Sequence, residues 1–245
     1  YGYVKNTVNY AGQTTENSST ERLWTMTWTG CRPDKTGFWD IYKFSPEYYN
    51  ICHDEEEVAA GYNGYSPFYA LGEGRKVAVF DLPSIGLSEQ VDGLQVLAVG
   101  GHYPFTLSHS KPPGLLAEII QKYGENEILN NDDGHWSDAE YVKWLYPALQ
   151  KSVRTRTQVC RDLLDRDDWD LFLTTFPEIH SAGHDLLHLS RTDHPVHDAR
   201  RGKFKEDIDP TLAIYESVDQ SVGQILEDLP DDAFVFCFSI HGMGN

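Results

Sequence analysis

Glu178, His180, His184, Asp185 and His188 fall within eleven residues, and the three histidines step by four. On a helix such a step sets side chains on one face. Imidazoles so spaced can hold one transition metal together, or the first two can begin a site. The cluster follows a short apolar run at 170–176, DLFLTTF, whose aromatic and β-branched content predicts a strand buried on both faces of a sheet. Pro177 ends that run. A second run at 233–240, AFVFCFSI, also predicts a buried strand and stops at His241-Gly242-Met243-Gly244. In open α/β sheets chemistry gathers where strands end at their carboxyl edge. Two strand ends offering Glu178, His180, His184 and His241 therefore predict one shared pocket with metal donors. The alternative for the first cluster is a solvated helix start, with Glu178 near the positive end of the helix dipole.

A third candidate is Thr20. Ser18, Ser19 and Thr20 precede a segment, TERLWTMTWTG, that predicts a helix capped at its start and closed by Gly30 and Pro33, with Leu23, Met26 and Thr27 on its inner face. The ordinary role of Thr20 there is an N-cap. A hydroxyl at a helix N-terminus also sits among free backbone N–H groups that favour an anion, and a phosphoryl group attacked there is stabilised as its charge grows. Cys31-Arg32-Pro33 superficially matches a sulfatase-type Cys-x-Pro signature, but Cys31 follows the end of this helix instead of opening one.

The elements that must position these residues follow in order. Residues 76–82 and 94–99 predict buried strands, and 113–123 a short amphipathic helix. A long helix is predicted over 138–165, with Tyr141, Leu145, Ala148, Val153, Val159 and Leu163 near one face and a kink at Pro147. Residues 190–209 predict a polar surface loop, and 210–229 an amphipathic helix. Strands alternating with helices predict an α/β fold, a three-layer sandwich with a mostly parallel central sheet. Residues 40–75 are dense in aromatics, which predicts packing more than a ligand box.

The chain of 245 residues carries a formal charge of −18, which excludes sequence-independent binding of duplex nucleic acid. An anionic substrate must then be held by local features such as metal ions. No apolar run reaches the ~20 residues of a membrane span. Cys31, Cys52, Cys160 and Cys237 lack C-x-x-C spacing and predict free thiols in a reducing, cytoplasmic setting, with a Cys31–Cys52 bridge as the alternative. Tyr1 in place of a start methionine, and Asn245 directly after a candidate site loop, lead us to expect a piece of a longer protein.

With these pieces placed, the chain resembles the type I phosphodiesterase/nucleotide pyrophosphatase group of the alkaline phosphatase superfamily. Members carry a nucleophilic Thr or Ser nine residues before Thr-Gly, then Pro-x-x-His-Gly-(Ile/Val)-x-Asp. Here Thr29-Gly30 precedes Pro33-Asp34-Lys35-Thr36-Gly37-Phe38-Trp39-Asp40, which places the nucleophile at Thr20. Residues 76–83 look like the family's central strand, and Val91-Asp92-Gly93 like its Val-Asn-Gly segment. The stretch from Glu178 to His184 stands where the family has Asp-x-x-Gly-His, two ligands of one metal. Ser239-Ile240-His241-Gly242-Met243 stands where it has Ser-Asp-His-Gly-Met, two ligands of the other. Three positions depart from the pattern: His180 replaces Asp, Ile240 replaces Asp, and Thr36 replaces His. The family's first strand, with its metal-binding Asp, belongs before Tyr1, and its last ligand His after Asn245.

The resemblance implies hydrolysis of a small anionic phosphate ester, diester or monoester, by double displacement through a covalent phospho-threonine. It implies Thr20 as nucleophile and His180, His184, His241 and Glu178 as donors to one or two divalent ions. Zinc suits this histidine-rich set, with manganese the alternative where carboxylates dominate. The competing expectations are a catalytically degenerate member that binds an anion or a partner, and a sulfate ester hydrolase or phosphomutase on the same scaffold. The organisation expected is one domain over 1–245, truncated at both ends, with substrate-side insertions at 40–75 and 100–135.

Overall fold

The computed structural model describes residues 8–10, 13–15, 20–38, 42–53, 64–100, 109–128, 134–197 and 208–240, with backbone alone for 8–10, 13–15, 20, 21, 42, 43, 52 and 53. Strands β1 (Val8–Tyr10) and β2 (Gln13–Thr15) pair antiparallel ahead of helix α1 (Thr20–Thr29) and the single turn α2 (Pro33–Thr36). A hairpin of β3 (Tyr42–Ser45) and β4 (Asn50–His53) follows. Next come β5 (Lys76–Phe80), β6 (Asp92–Leu97), β7 (His109–Lys111), α3 (Leu115–Tyr123) and α4 (Ala139–Leu164). The described chain closes with β8 (Leu171–Thr174), α5 (Glu178–Asp185), α6 (Leu187–Ser190) and α7 (Pro210–Leu226).

Four strands make the main sheet in the order β7-β6-β5-β8; β5 runs parallel to both neighbours and β7 antiparallel to β6. This is the mostly parallel α/β sheet that the sequence predicts. Because side chains alternate along a strand, β5 feeds two cores. Val77 and Val79 pack with Trp28, Phe38 and Tyr69 on one face, and Ala78 and Phe80 with Leu115, Ile119, Val159 and Leu163 on the other. A third cluster joins Leu145 and Leu149 of α4, Ala182 of α5, Leu186 just past its end, and Ile214 of α7. The long helices start where short carboxylates can take free N–H groups. Asp138 accepts from Glu140 N at 2.9 Å, and Asp209 from Leu212 N at 2.9 Å ahead of Pro210.

Several expectations are corrected. Among the described residues β8 stands at the edge of the sheet, and although Leu171 and Leu173 pack on one core and Phe172 on the other, it is only half-buried along its length. Residues 233–240 form no strand, and Phe234 and Phe236 are 92% and 85% exposed. An apolar, aromatic composition equips a segment for a sheet, but pairing with a neighbour makes the strand, and among the described residues this segment joins no sheet. On α1, Leu23 is buried as expected, but Met26 and Thr27 are half-buried, and Thr25 and Trp28 are the residues enclosed, Trp28 stacked on Trp24 at 5.0 Å. The indole of Trp28 also donates to the Pro83 carbonyl at 2.8 Å, which fixes α1 to the loop after β5. The aromatics of 40–75 divide: Tyr69 is buried, whereas Phe44, Tyr48 and Tyr49 are exposed on and beside the β3–β4 hairpin. Cys31, Cys160 and Cys237 are free, so the Cys31–Cys52 bridge does not form. Burial pushes the Cys160 thiol up to about 11. Among the described residues no helix is long and apolar enough to cross a membrane.

Gly93 is required by the sheet. It sits opposite Val77 in the β5–β6 register at φ +148°, where an added Cβ would overlap the Val77 carbonyl oxygen and lie 2.9 Å from the Trp169 ring. Gly93→Ala should lower stability by roughly 3 kcal/mol or more, since overpacking and backbone strain act together. Urea unfolding measures this, and an unshifted midpoint would contradict the close approach.

Candidate active site

The helix after β8 is short because Pro177 sets its start and Leu186 ends it. Its buried residues Glu178, Ser181, Ala182 and Asp185 recur at helical spacing and face α4 and α7. His180 and His184 therefore fall on the opposite side. Their rings lie 4.4 Å apart at 76°, with His180 half-buried and His184 exposed. Both border a cleft of about 2220 Å³. The same cleft is lined by Leu23 and Trp24 of α1, by β8 and by residues 232–240. Thr20 opens α1, though its side chain and all of His241 lie outside the described residues. Ile240, directly before His241, lines the cleft with His180 and His184. Helices α1 and α5 and residues 232–240 thus border one cleft.

His188 does not extend the stripe. It sits on α6, buried against Trp136 and His194, with ring separations of 5.5 and 6.0 Å. Glu178, expected among the metal donors, is turned away from the histidines. Its Oε1 accepts from Ser152 Oγ at 2.5 Å and from Arg156 Nε at 3.0 Å, both on α4. Asp185 accepts from Tyr141 OH at 2.9 Å. Thr36, standing where the family has His, is buried, and its hydroxyl accepts from Phe38 N at 3.3 Å.

Sequence reasoning missed Asp81 and Arg156. Asp81 follows β5 at φ +59°, a left-handed conformation uncommon for a residue with a side chain. Ser84 and Ala98, also past the ends of β5 and β6, have positive φ as well. Backbone held this way is found where surrounding bonds over-determine it, and Asp81 is bonded at every polar group. Its N–H donates to Val96 O at 2.7 Å, and its carbonyl accepts from Thr175 Oγ1 at 2.5 Å. Oδ1 accepts from Val99 N at 2.7 Å, and Oδ2 from Arg156 Nη2 at 2.7 Å. Burial alone would lower the Arg156 pKa, but the charges of Glu178 and Asp81 outweigh it and raise it above its ordinary value. A signal was present: Ser152 and Arg156, four apart, lie on the apolar face of α4 with Leu149, Val153 and Val159.

Two imidazoles side by side on a cleft are suitable nitrogen donors for a transition metal such as zinc. Among the described residues no group of three or more His, Cys, Asp or Glu side chains is gathered for one ion. Two of the expected donors, His180 and His184, thus lie together on the cleft, and Glu178 does not join them.

A mostly parallel α/β sheet with this paired-histidine helix beyond one strand end is compatible with the alkaline-phosphatase-like class of folds. A family model described as type I phosphodiesterase / nucleotide pyrophosphatase matches residues 19–245, and the chain belongs to that family. No curated protein and no solved structure matches it. Membership supports phosphate ester hydrolysis and a divalent metal in general terms and leaves the substrate open.

Proposed function

We propose that this chain is a metal-dependent hydrolase of small phosphate esters, with Thr20 as nucleophile and His180, His184 and His241 as nitrogen donors to zinc. The observation that carries the reading is the His180/His184 pair, which lines one cleft with α1, the helix that Thr20 opens. The core packing on both faces of the sheet supports a three-layer arrangement.

The Thr20 hydroxyl gives up its proton to solvent as its oxygen attacks phosphorus, a Thr20–O–P bond forms, and the bond to the leaving oxygen breaks. The leaving group departs with a proton taken from solvent. Water then attacks the phospho-threonine and returns the Thr20 hydroxyl, releasing the phosphate product. Free N–H groups at the start of α1 favour the charge that grows on the phosphoryl oxygens. Bound zinc supplies Lewis-acid charge that lowers hydroxyl pKa values and stabilises oxyanions. The apolar wall of the cleft, including Leu23 and Trp24, limits water around the reacting group. A second reading, binding without turnover, is favoured by one residue: Ile240 stands where the family has a metal-binding Asp and has no donor atom to offer.

Chelator-treated protein titrated with zinc or manganese and assayed on bis(p-nitrophenyl) phosphate separates these readings. We expect turnover that vanishes with the chelator and returns with zinc. Zinc binding without turnover would establish the binding reading. Faster hydrolysis of p-nitrophenyl sulfate than of the phosphodiester would assign the sulfate chemistry instead.

A further inference from the structure

The buried polar cluster next to the candidate site has no part in the chemistry proposed above. Arg156 reaches two acids through different nitrogens, Nη2 to Asp81 at 2.7 Å and Nε to Glu178 at 3.0 Å. All three side chains are at most 2% exposed. The guanidinium faces the Phe80 and Phe176 rings, 5.3 and 6.0 Å from their centroids. Gly100 closes the slot so tightly that a Cβ there would lie 3.0 Å from Arg156 Nη2. Ser152 completes the cluster, donating to Glu178 and accepting from Asn126 Nδ2 at 2.9 Å.

The two acids belong to different parts of the fold. Asp81 ties together the ends of β5, β6 and β8 through Val96, Val99 and Thr175. Glu178 is the first residue of α5, two residues before His180 and six before His184. We infer that Arg156 is a positioning residue that locks α5, and with it the His180/His184 pair, to the carboxyl edge of the sheet. This rests on the metal-holding role proposed for those histidines. Lysine cannot replace it, because a single ammonium has neither the fork nor the plane that this slot fits.

The test compares wild type with Arg156→Lys, Glu178→Gln and Ser152→Ala, using Arg166→Lys in a surface ion-pair network as control. Ser152→Ala removes one hydroxyl and no charge, so it serves if the Arg156 and Glu178 variants do not fold. Zinc affinity, measured by titration of metal-free protein, should fall about tenfold or more in the cluster variants. It should stay unchanged in the control. For the phosphodiester, kcat should fall with zinc affinity while KM holds. Amide exchange in the metal-free proteins should quicken within α5 and stay at wild-type rates in α1 and α3. Folded cluster variants with wild-type zinc affinity and wild-type α5 exchange would overturn the inference. If wild type binds no zinc, the metal reading fails, and the exchange data alone decide: localised quickening in α5 upholds the lock, and its absence overturns it.

Discussion

Thr20→Ala should lose phosphate ester hydrolysis by about a thousandfold or more, as expected when the attacking atom itself is removed. Zinc affinity should remain at the wild-type level, because no metal donor changes. The separation matters: loss of activity together with metal would point to damage of the site, whereas loss of activity alone points to the nucleophile. Thr20→Ser should retain turnover, since it keeps a hydroxyl at the same helix start. Stability gives a further check. Thr20 is the first residue of α1, and alanine favours a helix more than threonine does, so the alanine variant should remain folded at room temperature. Steady-state kinetics and zinc titration of each variant measure turnover and metal, and urea unfolding measures stability. An alanine variant with activity within a few-fold of wild type would remove Thr20 from the mechanism.

His180→Ala should lose zinc binding and hydrolysis together, whereas His180→Asp, which restores the family residue, should keep part of both. The half-buried ring of His180 lies against His184 on the cleft, so its deletion breaks the pair and leaves the proposed set with His184 and His241. Two nitrogens hold a metal more weakly than three. Aspartate is shorter but offers an oxygen donor from the same helix position. For the wild type, zinc affinity should fall as pH drops through the ordinary imidazole range near ~6.5, because a proton and the metal compete for one lone pair. With aspartate at position 180 one imidazole fewer competes, so this fall should be shallower. Unchanged metal stoichiometry in His180→Ala would show that the histidine pair is not the donor set.

What the sequence made legible was local. The helix carrying His180 and His184 could be read from their spacing, and α1 from a polar start and the Gly30 stop. Gly30 takes the expected left-handed conformation at φ +67° and donates to Met26 O at 2.9 Å. Buried strands at β5 and β6 were evident from continuous apolar runs. The same signal misled at 233–240 and in part at β8, because composition reports suitability for a sheet and not the presence of a neighbour. The Asp81–Arg156–Glu178 cluster was not legible as a unit. Its members are joined across 75 and 22 positions by packing that no local pattern encodes. Glu178 was misread for a related reason. Its place beside two histidines in sequence suggested a third donor, but a helix turns residues two apart to different sides.

The most direct measurement is chemical capture of the intermediate. Zinc-loaded protein turning over excess bis(p-nitrophenyl) phosphate is quenched in acid, digested and analysed by mass spectrometry. The account predicts a nitrophenylphosphoryl group on Thr20, left after departure of one nitrophenolate and absent from Thr20→Ala and from metal-free protein. An unmodified Thr20 in protein that is turning over, with the adduct on another residue, would contradict it.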